Sequence, residues 1–225
     1  MRYYIYGTTD LAENLFYLLE EEGRKIEGFT VDRQYIAEQQ YKMFEIHGET
    51  VKIPIISFDV LKGYSDKKEI GIYLCIGYTK MNAARREKFA EIKNSGYRIE
   101  NYIHKTACVE TDKLGEGNLI FEQAYIGMYA EIGNGNIVYP KAMIAHHTKV
   151  GDFNYFAISA SVAGHVTVSN ENFFGNNATT KDKITVGNGN LIGANAYVQH
   201  DLSDENVVVP ERSIILENKK PTDFL

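Results

Sequence analysis

The sequence has little of what marks several large classes of protein. Its two cysteines, Cys75 and Cys108, lack metal-ligand or redox spacing, so each is expected to pack as a small hydrophobic residue. No apolar run reaches membrane-spanning length, and the opening residues contain no apolar signal-peptide region. A net charge of −6 argues against non-specific binding to nucleic acid or to an anionic membrane. A reducing, cytoplasmic setting is therefore the simplest interpretation.

Composition changes along the 225 residues. Charged, helix-favouring segments lie before Ile103, whereas Gly, Asn, Ala and β-branched residues dominate after it. We therefore predict a first domain over residues 1–105, a second over 106–205, and a C-terminal tail over 206–225.

An apolar residue recurs every six positions through the second domain. The ladder, whose one polar member is Thr180, reads Leu114, Ile120, Ile126, Ile132, Val138, Ile144, Val150, Phe156, Val162, Val168, Phe174, Thr180, Val186, Ile192 and Val198. A helix needs apolar residues every three or four positions and a strand every two, so this period fits neither. It predicts a left-handed parallel β-helix in which each hexad forms one side of a triangular prism.

Small residues accompany the ladder at fixed places. Glycine often follows a rung directly, and Asn or Ala often stands two residues before it. We interpret Gly and Asn as corner residues, needed where the backbone takes unusual angles. Three hexads make one coil of eighteen residues, and coils are expected to stack about 4.8 Å apart, as strands do in a parallel sheet.

The first domain opens with the pattern of a Rossmann-like βαβ unit. A β-rich run ends at Gly7, a helix begins near Asp10, and a second strand over residues 26–31 ends in Asp32. This order is typical of nucleotide-binding units. The turn is not GxGxxG, however, so a plain tight turn at Gly7 and a capping role for Asp32 stay open as alternatives. A later strand over residues 70–76 and a charged helix from about Lys80 complete the predicted domain.

Three of the six histidines cluster at the hexad corners. His146 and Gly164 are eighteen residues apart, as are His147 and His165, so each pair is expected to stack on adjacent coils. The alternative is that they are ordinary solvent-exposed corner residues. Stacked imidazoles also resemble metal ligands, but no Asp, Glu or Cys is close enough in sequence to complete a set, and we expect no metal. The remaining histidines, to which no role is assigned, are His47, His104 and His200.

The pairing of a histidine with a glycine suits acyl transfer. Attack of an amine or hydroxyl on a thioester needs a general base, and histidine serves this purpose near neutral pH. The tetrahedral intermediate needs a backbone N–H aimed at its oxyanion. Glycine lets a bulky thioester approach that N–H closely. The pattern therefore predicts His146 as base and Gly164 as oxyanion donor, with His147 beside them.

The hexad ladder, the βαβ head and the stretch from Ile144 to Phe153 resemble the sialic acid O-acetyltransferase (NeuD-like) family. That family includes N-acetyltransferases acting on nucleotide-linked 4-amino-4,6-dideoxy sugars, and the similarity covers nearly the whole chain. The resemblance implies an acetyl-CoA-dependent sugar N-acetyltransferase of surface glycan biosynthesis, such as lipopolysaccharide biosynthesis. It also implies a homotrimer with active sites between neighbouring β-helices, and acetyl-CoA lying along the prism as co-substrate.

The same resemblance implies roles for individual residues. His146, His147 and Gly164 match the catalytic positions. The coenzyme would contact His165, Tyr155, Gly175, Asn176, Asn177 and Ala178. The nucleotide-sugar would be held by Gly7, Thr8, Thr9, Asp32, Gly77, Tyr78 and Lys80 in the first domain, with Arg85 on the basic helix that follows.

The sequence departs from the family pattern at several of these places. His147 stands where an acidic residue usually follows the catalytic histidine, and Tyr155 replaces a downstream histidine that often contacts the acetyl group. The head turn Gly7-Thr8-Thr9 replaces Gly-Ala-Ser, and the Gly-x-Pro-Ala ending is absent. A sugar O-acetyltransferase, a non-catalytic trimeric binding protein and a metal-dependent hydrolase therefore remain as alternative functions.

Overall fold

The computed structural model describes residues 1–36, 40–46, 48–211, 213, 220 and 222. His47 and most of the predicted tail after residue 211 lie outside the described residues. Within them the chain forms a small α/β head followed by a long prism of short strands. None of the described helices is long and apolar enough to cross a membrane.

The head is built on a six-stranded sheet whose order is β3-β4-β2-β1-β5-β6. Its strands are β1 (Arg2–Tyr6), β2 (Ile26–Val31), β3 (Tyr41–Ile46), β4 (Glu49–Ser57), β5 (Ile70–Leu74) and β6 (Arg98–Ile99). Neighbours pair in parallel, except β3 and β4, which pair antiparallel. Its helices are α1 (Asp10–Glu21), α2 (Phe58–Lys62) and α3 (Ala83–Asn94).

The predicted βαβ unit is present as β1, α1 and β2. Helix α1 turns its apolar stripe, including Leu15 and Phe16, onto the sheet, where both side chains are fully buried. Helix α3 begins at Ala83 rather than near Lys80, because Lys80, Met81 and Asn82 have φ angles of 52°, 49° and 69°. Three consecutive left-handed residues cannot belong to an α-helix.

The prism has three faces, each a parallel sheet of two-residue strands. The face that carries the head, called the head face, contains β7 (Tyr102–Ile103), β9 (Leu119–Ile120), β12 (Ile137–Val138), β15 (Tyr155–Phe156), β18 (Phe173–Phe174), β21 (Leu191–Ile192) and β23 (Val207–Val208). The open face contains β8 (Cys108–Val109), β10 (Tyr125–Ile126), β13 (Met143–Ile144), β16 (Ser161–Val162), β19 (Thr179–Thr180) and β22 (Tyr197–Val198). The polar face contains β11 (Glu131–Ile132), β14 (Lys149–Val150), β17 (Thr167–Val168) and β20 (Thr185–Val186).

The interior of the prism consists of the predicted six-residue ladder. Every rung from Ile120 to Val198 is at most 5% exposed, and Thr180 points inward with the others at 4%. Strand pairs such as Ile144 with Val162 confirm the eighteen-residue coil. The predicted fold class, a left-handed parallel β-helix behind a Rossmann-like domain, is therefore confirmed.

The prediction that Gly and Asn stand at the corners because the backbone takes unusual angles there was wrong. Left-handed φ angles occur three residues before a rung, at positions such as Tyr129, His147 and His165, and not at the glycines that follow rungs. Those glycines allow close stacking instead: a Cβ on Gly127 would lie 2.8 Å from the His146 backbone nitrogen.

The asparagines before the rungs of the head face form a buried ladder at one vertex. The side-chain oxygen of Asn136, for example, accepts hydrogen bonds from the backbone N–H and the Nδ2 group of Asn154. The pattern continues from coil to coil through Asn118, Asn136, Asn154, Asn172 and Asn190. These side chains therefore join the coils by hydrogen bonds and do not relieve backbone strain.

The head is anchored to the prism by apolar packing and by one buried cation. Tyr102, Leu119 and Ile137 of the head face share a core with Leu15 and other apolar residues of the head. Arg85 of α3 is fully buried and donates hydrogen bonds to the carbonyl oxygens of Ile76, Gly77, Gly135, Phe153 and Asn154. Burial lowers the pKa of this guanidinium to about 9, which leaves it charged at neutral pH.

Candidate active site

The three clustered histidines meet at the vertex between the open and polar faces, called here the histidine vertex. The Nδ1 atoms of His146 and His147 are 3.1 Å apart. The rings of His147 and His165 stack, with centroids 4.7 Å apart and an angle of 18° between their planes. The His146 ring stands edge-on to His165 at 5.3 Å. All three imidazoles are exposed, and they offer ring nitrogens within 4.8 Å of one another.

Coil stacking holds the histidines in place. The backbone N–H of His147 donates to the carbonyl of Met128 on the preceding coil, and that of His165 donates to the carbonyl of His146. The ring of Tyr129, one coil earlier, lies 4.9 Å from the His147 ring. The cluster therefore follows from the eighteen-residue repeat, which brings residues 129, 147 and 165 to equivalent positions on successive coils.

Gly164 lies directly beneath the His146 imidazole. A Cβ at Gly164 would be 2.8 Å from His146 Cε1 and 3.0 Å from Nε2, so any larger residue would displace the ring. Within the described part of the chain, the Gly164 N–H has no hydrogen-bond acceptor, whereas its carbonyl accepts from Lys183. An imidazole therefore lies beside an unpaired backbone N–H, the pair of groups that acyl transfer requires.

Tyr155, expected to contact the coenzyme, is not brought to His146 within one chain. It lies on the head face, opposite the histidine vertex, and is 7% exposed. Its ring packs against Tyr139, Tyr78 and Phe173. Tyr155 therefore lies apart from the chain's own histidines, because an outward residue on β15 faces the head, and its contact with the coenzyme stays a prediction.

Of the other expected coenzyme residues, His165 belongs to the histidine vertex. The rest, Gly175, Asn176, Asn177 and Ala178, lie at the vertex between the head and open faces, called the alanine vertex. Asn177 is exposed there, whereas Gly175 is buried, and a Cβ at Gly175 would be 2.6 Å from the backbone nitrogen of Ala194. Ala178 is fully buried in the core of the prism. These residues are also separated from the chain's own His146 by the width of the open face.

In the head, the turn after β1 lies at the carboxyl ends of the parallel strands. Gly7 has a φ of 124°, and a Cβ there would lie 2.4 Å from the carbonyl oxygen of Cys75, so the turn requires glycine. Thr9 precedes α1 as its N-cap without a side-chain capping bond. Thr8 lines a cavity of about 380 Å³ together with Tyr35, Tyr41 and other side chains. This is the position at which open α/β sheets bind ligands.

Asp32 lies in a different cleft, of about 540 Å³, and its carboxylate is already paired. It accepts hydrogen bonds from Lys88 at 2.7 and 2.9 Å and from the Tyr6 hydroxyl at 2.6 Å. Burial alone would raise the pKa of Asp32, but the hydrogen bonds from Lys88 and Tyr6 hold it below its usual value. A ligand that binds Asp32 must therefore compete with these partners.

The turn after β5 connects the head with the prism. Arg85 binds the carbonyls of Ile76 and Gly77, and the half-exposed Tyr78 packs edge-on against Tyr155 at 5.2 Å. Lys80 is exposed. The expected sugar-binding residues thus fall into three groups, around Thr8, around Asp32 and at this turn.

Several residues of these sites were missed by sequence reasoning. Lys88 and Tyr6, which hold Asp32, lie in a charged helix and a β-rich run whose patterns carry no signal for a pairing across the fold. Tyr129 could have been found, because it lies eighteen residues before His147.

The fold is shared with solved structures of sugar acetyltransferases, although no family model and no curated protein matches the chain. A variant of GDP-perosamine N-acetyltransferase from Caulobacter crescentus, in complex with CoA and GDP-perosamine, has a TM-score of 0.77. It is 20% identical, over 94% of this chain and 98% of that one. The acetyltransferase domain of PglB from Neisseria gonorrhoeae FA1090, in complex with acetyl coenzyme A, has a TM-score of 0.75 at 18% identity. There the match covers 93% of this chain and 98% of that chain.

A third similar structure is WeeI from Acinetobacter baumannii AYE. It has a TM-score of 0.72 and 17% identity, over 93% of this chain and 97% of that one. These likenesses extend over head and prism together. The chain therefore shares its overall fold, head and prism together, with these three structures.

Proposed function

We propose that the chain is an acetyl-CoA-dependent N-acetyltransferase acting on a nucleotide-linked amino sugar. The observation that carries the proposal is the placement of the His146 imidazole directly over Gly164, whose N–H has no acceptor among the residues that the structure describes. The fold adds support, because similar structures contain CoA with GDP-perosamine, or acetyl coenzyme A.

The proposed reaction uses the two groups in turn. The sugar amine attacks the thioester carbonyl, and a new C–N bond forms as the oxyanion accepts a hydrogen bond from the Gly164 N–H. His146 takes the proton that the amine loses. The C–S bond then breaks, and the proton passes to the departing thiolate, which leaves as free thiol. The exposed imidazole and the side-chain-free Gly164 leave room for the thioester.

His147 and His165 would orient the base and the acyl donor. The 3.1 Å contact between the Nδ1 atoms of His146 and His147 requires that one nitrogen donates and the other accepts. The proton on that pair therefore decides which tautomer of His146 presents a free nitrogen to the amine.

A homotrimer would bring the separated parts of the site together. Among the described residues, no element covers the open face, and its exposed strand residues Met143 and Tyr197 are apolar, whereas the polar face carries Glu131 and Lys149. The large exposed apolar residues on or beside the open face are Met128, Tyr129, Met143, Ile158 and Tyr197. An apolar surface of this kind is typical of a protein interface. We infer that three open faces pack around a central axis.

In such a trimer, the histidine vertex of one chain lies against the alanine vertex of its neighbour. His146 and Gly164 of one subunit would then face the neighbour's Gly175 and Asn177 across a groove that runs along the prism. The coenzyme would lie in this groove, with the buried Ala178 and Tyr155 in the layer behind its wall.

The neighbour's head would hold the nucleotide-sugar above the same groove. Gly7, Thr8 and Thr9 lie at the carboxyl edge of the sheet, where backbone N–H groups and the start of α1 suit phosphate oxygens. The other residues proposed to contact the sugar nucleotide are Asp32, Gly77, Tyr78 and Lys80. The reaction would take place in the cytoplasm. Its product would serve the synthesis of a surface glycan, such as lipopolysaccharide.

The test is acyl transfer with purified protein, acetyl-CoA and a panel of nucleotide-linked 4-amino and 3-amino sugars. Release of free thiol is followed, and products are identified by mass spectrometry. The proposal predicts thiol release and an N-acetylated product with one or a few members of the panel. Thiol release only with hydroxyl acceptors would favour a sugar O-acetyltransferase, and no turnover with any acceptor would support a non-catalytic binding protein.

A further inference from the structure

We propose that His146, His147 and His165 form a binding site for one divalent ion of the zinc class, and that the bound ion inhibits rather than assists transfer. No acidic or thiol ligand is needed, because coil stacking brings three imidazoles together without one. The histidines are spread over two coils and converge only in the folded prism.

The geometry suits three nitrogen ligands. At a metal–nitrogen distance of about 2.0–2.1 Å, two ligand nitrogens 3.1 Å apart subtend about 100° at the ion, near a tetrahedral angle. The third nitrogen, on His165, lies within 4.8 Å of the other two, and rotation of its exposed ring out of the stack on His147 would bring it into range. Hydrogen bonds to the preceding coil hold the backbones of His147 and His165 in place, so binding of the ion would require rotation of side chains alone.

The ligand set selects the class of ion. Three imidazoles without a carboxylate favour zinc, copper, nickel or cobalt, whereas magnesium and calcium prefer oxygen ligands. All three rings are exposed, so the ion can enter from solvent and water can fill the fourth position.

Occupation of the site has a functional consequence, which rests on the function proposed above. A metal-bound imidazole has no free lone pair with which to accept a proton, so the ion and the attacking amine compete for His146. The ion would therefore be a reversible inhibitor, removed by a chelator.

The test begins with binding, which does not depend on activity. The full chain is stripped with a chelator, dialysed, and titrated with Zn²⁺ by calorimetry and with Co²⁺ by visible absorption. We expect one ion per chain, absorption bands typical of a four-coordinate cobalt site, and no detectable binding of Mg²⁺. His147→Ala and His165→Ala are each expected to weaken zinc binding at least ten-fold, and the double variant to abolish it.

His200→Ala is the matched control, because His200 is an exposed histidine on the same vertex but outside the cluster. It should bind zinc as the wild type does. Undiminished binding in the double variant, or no binding by the wild type, would overturn the proposed site. If zinc binds and the panel shows no transfer, the site stands and only the proposed function fails; if transfer occurs and bound zinc leaves it unchanged, the inhibitory role is wrong.

Discussion

At the scale of single residues, the contact between Gly164 and His146 offers the sharpest substitution. In Gly164→Ala the new methyl group would lie 2.8 Å from the imidazole, and the exposed ring can move away at little cost. We expect the melting temperature to stay within a few degrees of the wild type. Transfer should fall about a hundred-fold, because a base displaced by about 1 Å loses its alignment with the amine.

Gly127→Ala provides the contrast for that experiment. Its methyl group would meet the backbone nitrogen of His146, also at 2.8 Å, and backbone cannot rotate away. This variant should therefore lose stability as well as activity. Equal loss of stability in both variants would contradict a specific contact between Gly164 and the imidazole.

Asp32 gives a prediction about pH. Because Lys88 and Tyr6 lower the pKa of Asp32 in the folded state, the carboxylate stabilises the fold above its unfolded pKa, about 3.9. That contribution is lost as the pH falls through the lower, folded value. Asp32→Asn should therefore lower the urea midpoint at pH 7, and its difference from the wild type should shrink below about pH 4. A difference that does not change with pH would show that the charge is not responsible.

Much of the histidine vertex was predictable from the sequence, whereas the surroundings of Asp32 were not. His146, Gly164, His147 and His165 are related by one repeat, and a repeat fixes which residues become neighbours. The bonds from Lys88 and Tyr6 to Asp32 join three different elements of the head, and no local pattern specifies such a contact.

At the scale of elements, helix α3 and the prism are joined by Arg85. Replacing it with methionine leaves the carbonyls of Gly135 and Phe153 without their buried donor. Since an unsatisfied buried polar group costs about 1–3 kcal/mol, we expect Arg85→Met to lower the free energy of unfolding by about 3 kcal/mol in chemical denaturation.

Arg86→Met is the matched control, one residue along the same helix. Arg86 is exposed and pairs with Glu171 at 2.7 Å, a type of surface ion pair that contributes about 0–1 kcal/mol. Its loss should hardly change stability. If the two variants are equally stable, Arg85 does not anchor the head.

The elements differ in how far the sequence predicts them. The hexad ladder is long and regular, so the prism was predictable rung by rung. The antiparallel hairpin of β3 and β4 and the short helix α2 were missed, because single short elements carry no repeated signal. The start of α3 was placed too early for a related reason, since three left-handed residues precede it without a glycine or proline to mark them.

At the scale of the whole molecule, the proposal requires the open face to be an interface. Met143, on β13, is 41% exposed at the centre of that face. Met143→Arg should convert a trimer into monomers in analytical ultracentrifugation, because it places a charge in an apolar contact. Transfer should fall with it, since the chain's own head and His146 lie on opposite sides of the prism.

Thr167→Arg, at an exposed position on the polar face, is the matched control and should remain trimeric. A wild-type chain that sediments as a monomer would contradict the arrangement, as would a Met143→Arg variant that keeps full activity as a monomer.

The central claim is that His146 takes the proton from the attacking amine. It is tested most directly by measuring kcat/KM for acetyl transfer by His146→Ala and the wild type across a range of pH. We predict a loss of about 100- to 10,000-fold at neutral pH, with near-complete recovery at high pH, where a free amine needs no base. Little recovery would indicate a hydroxyl acceptor instead. An unchanged rate at neutral pH in a folded variant would contradict the account.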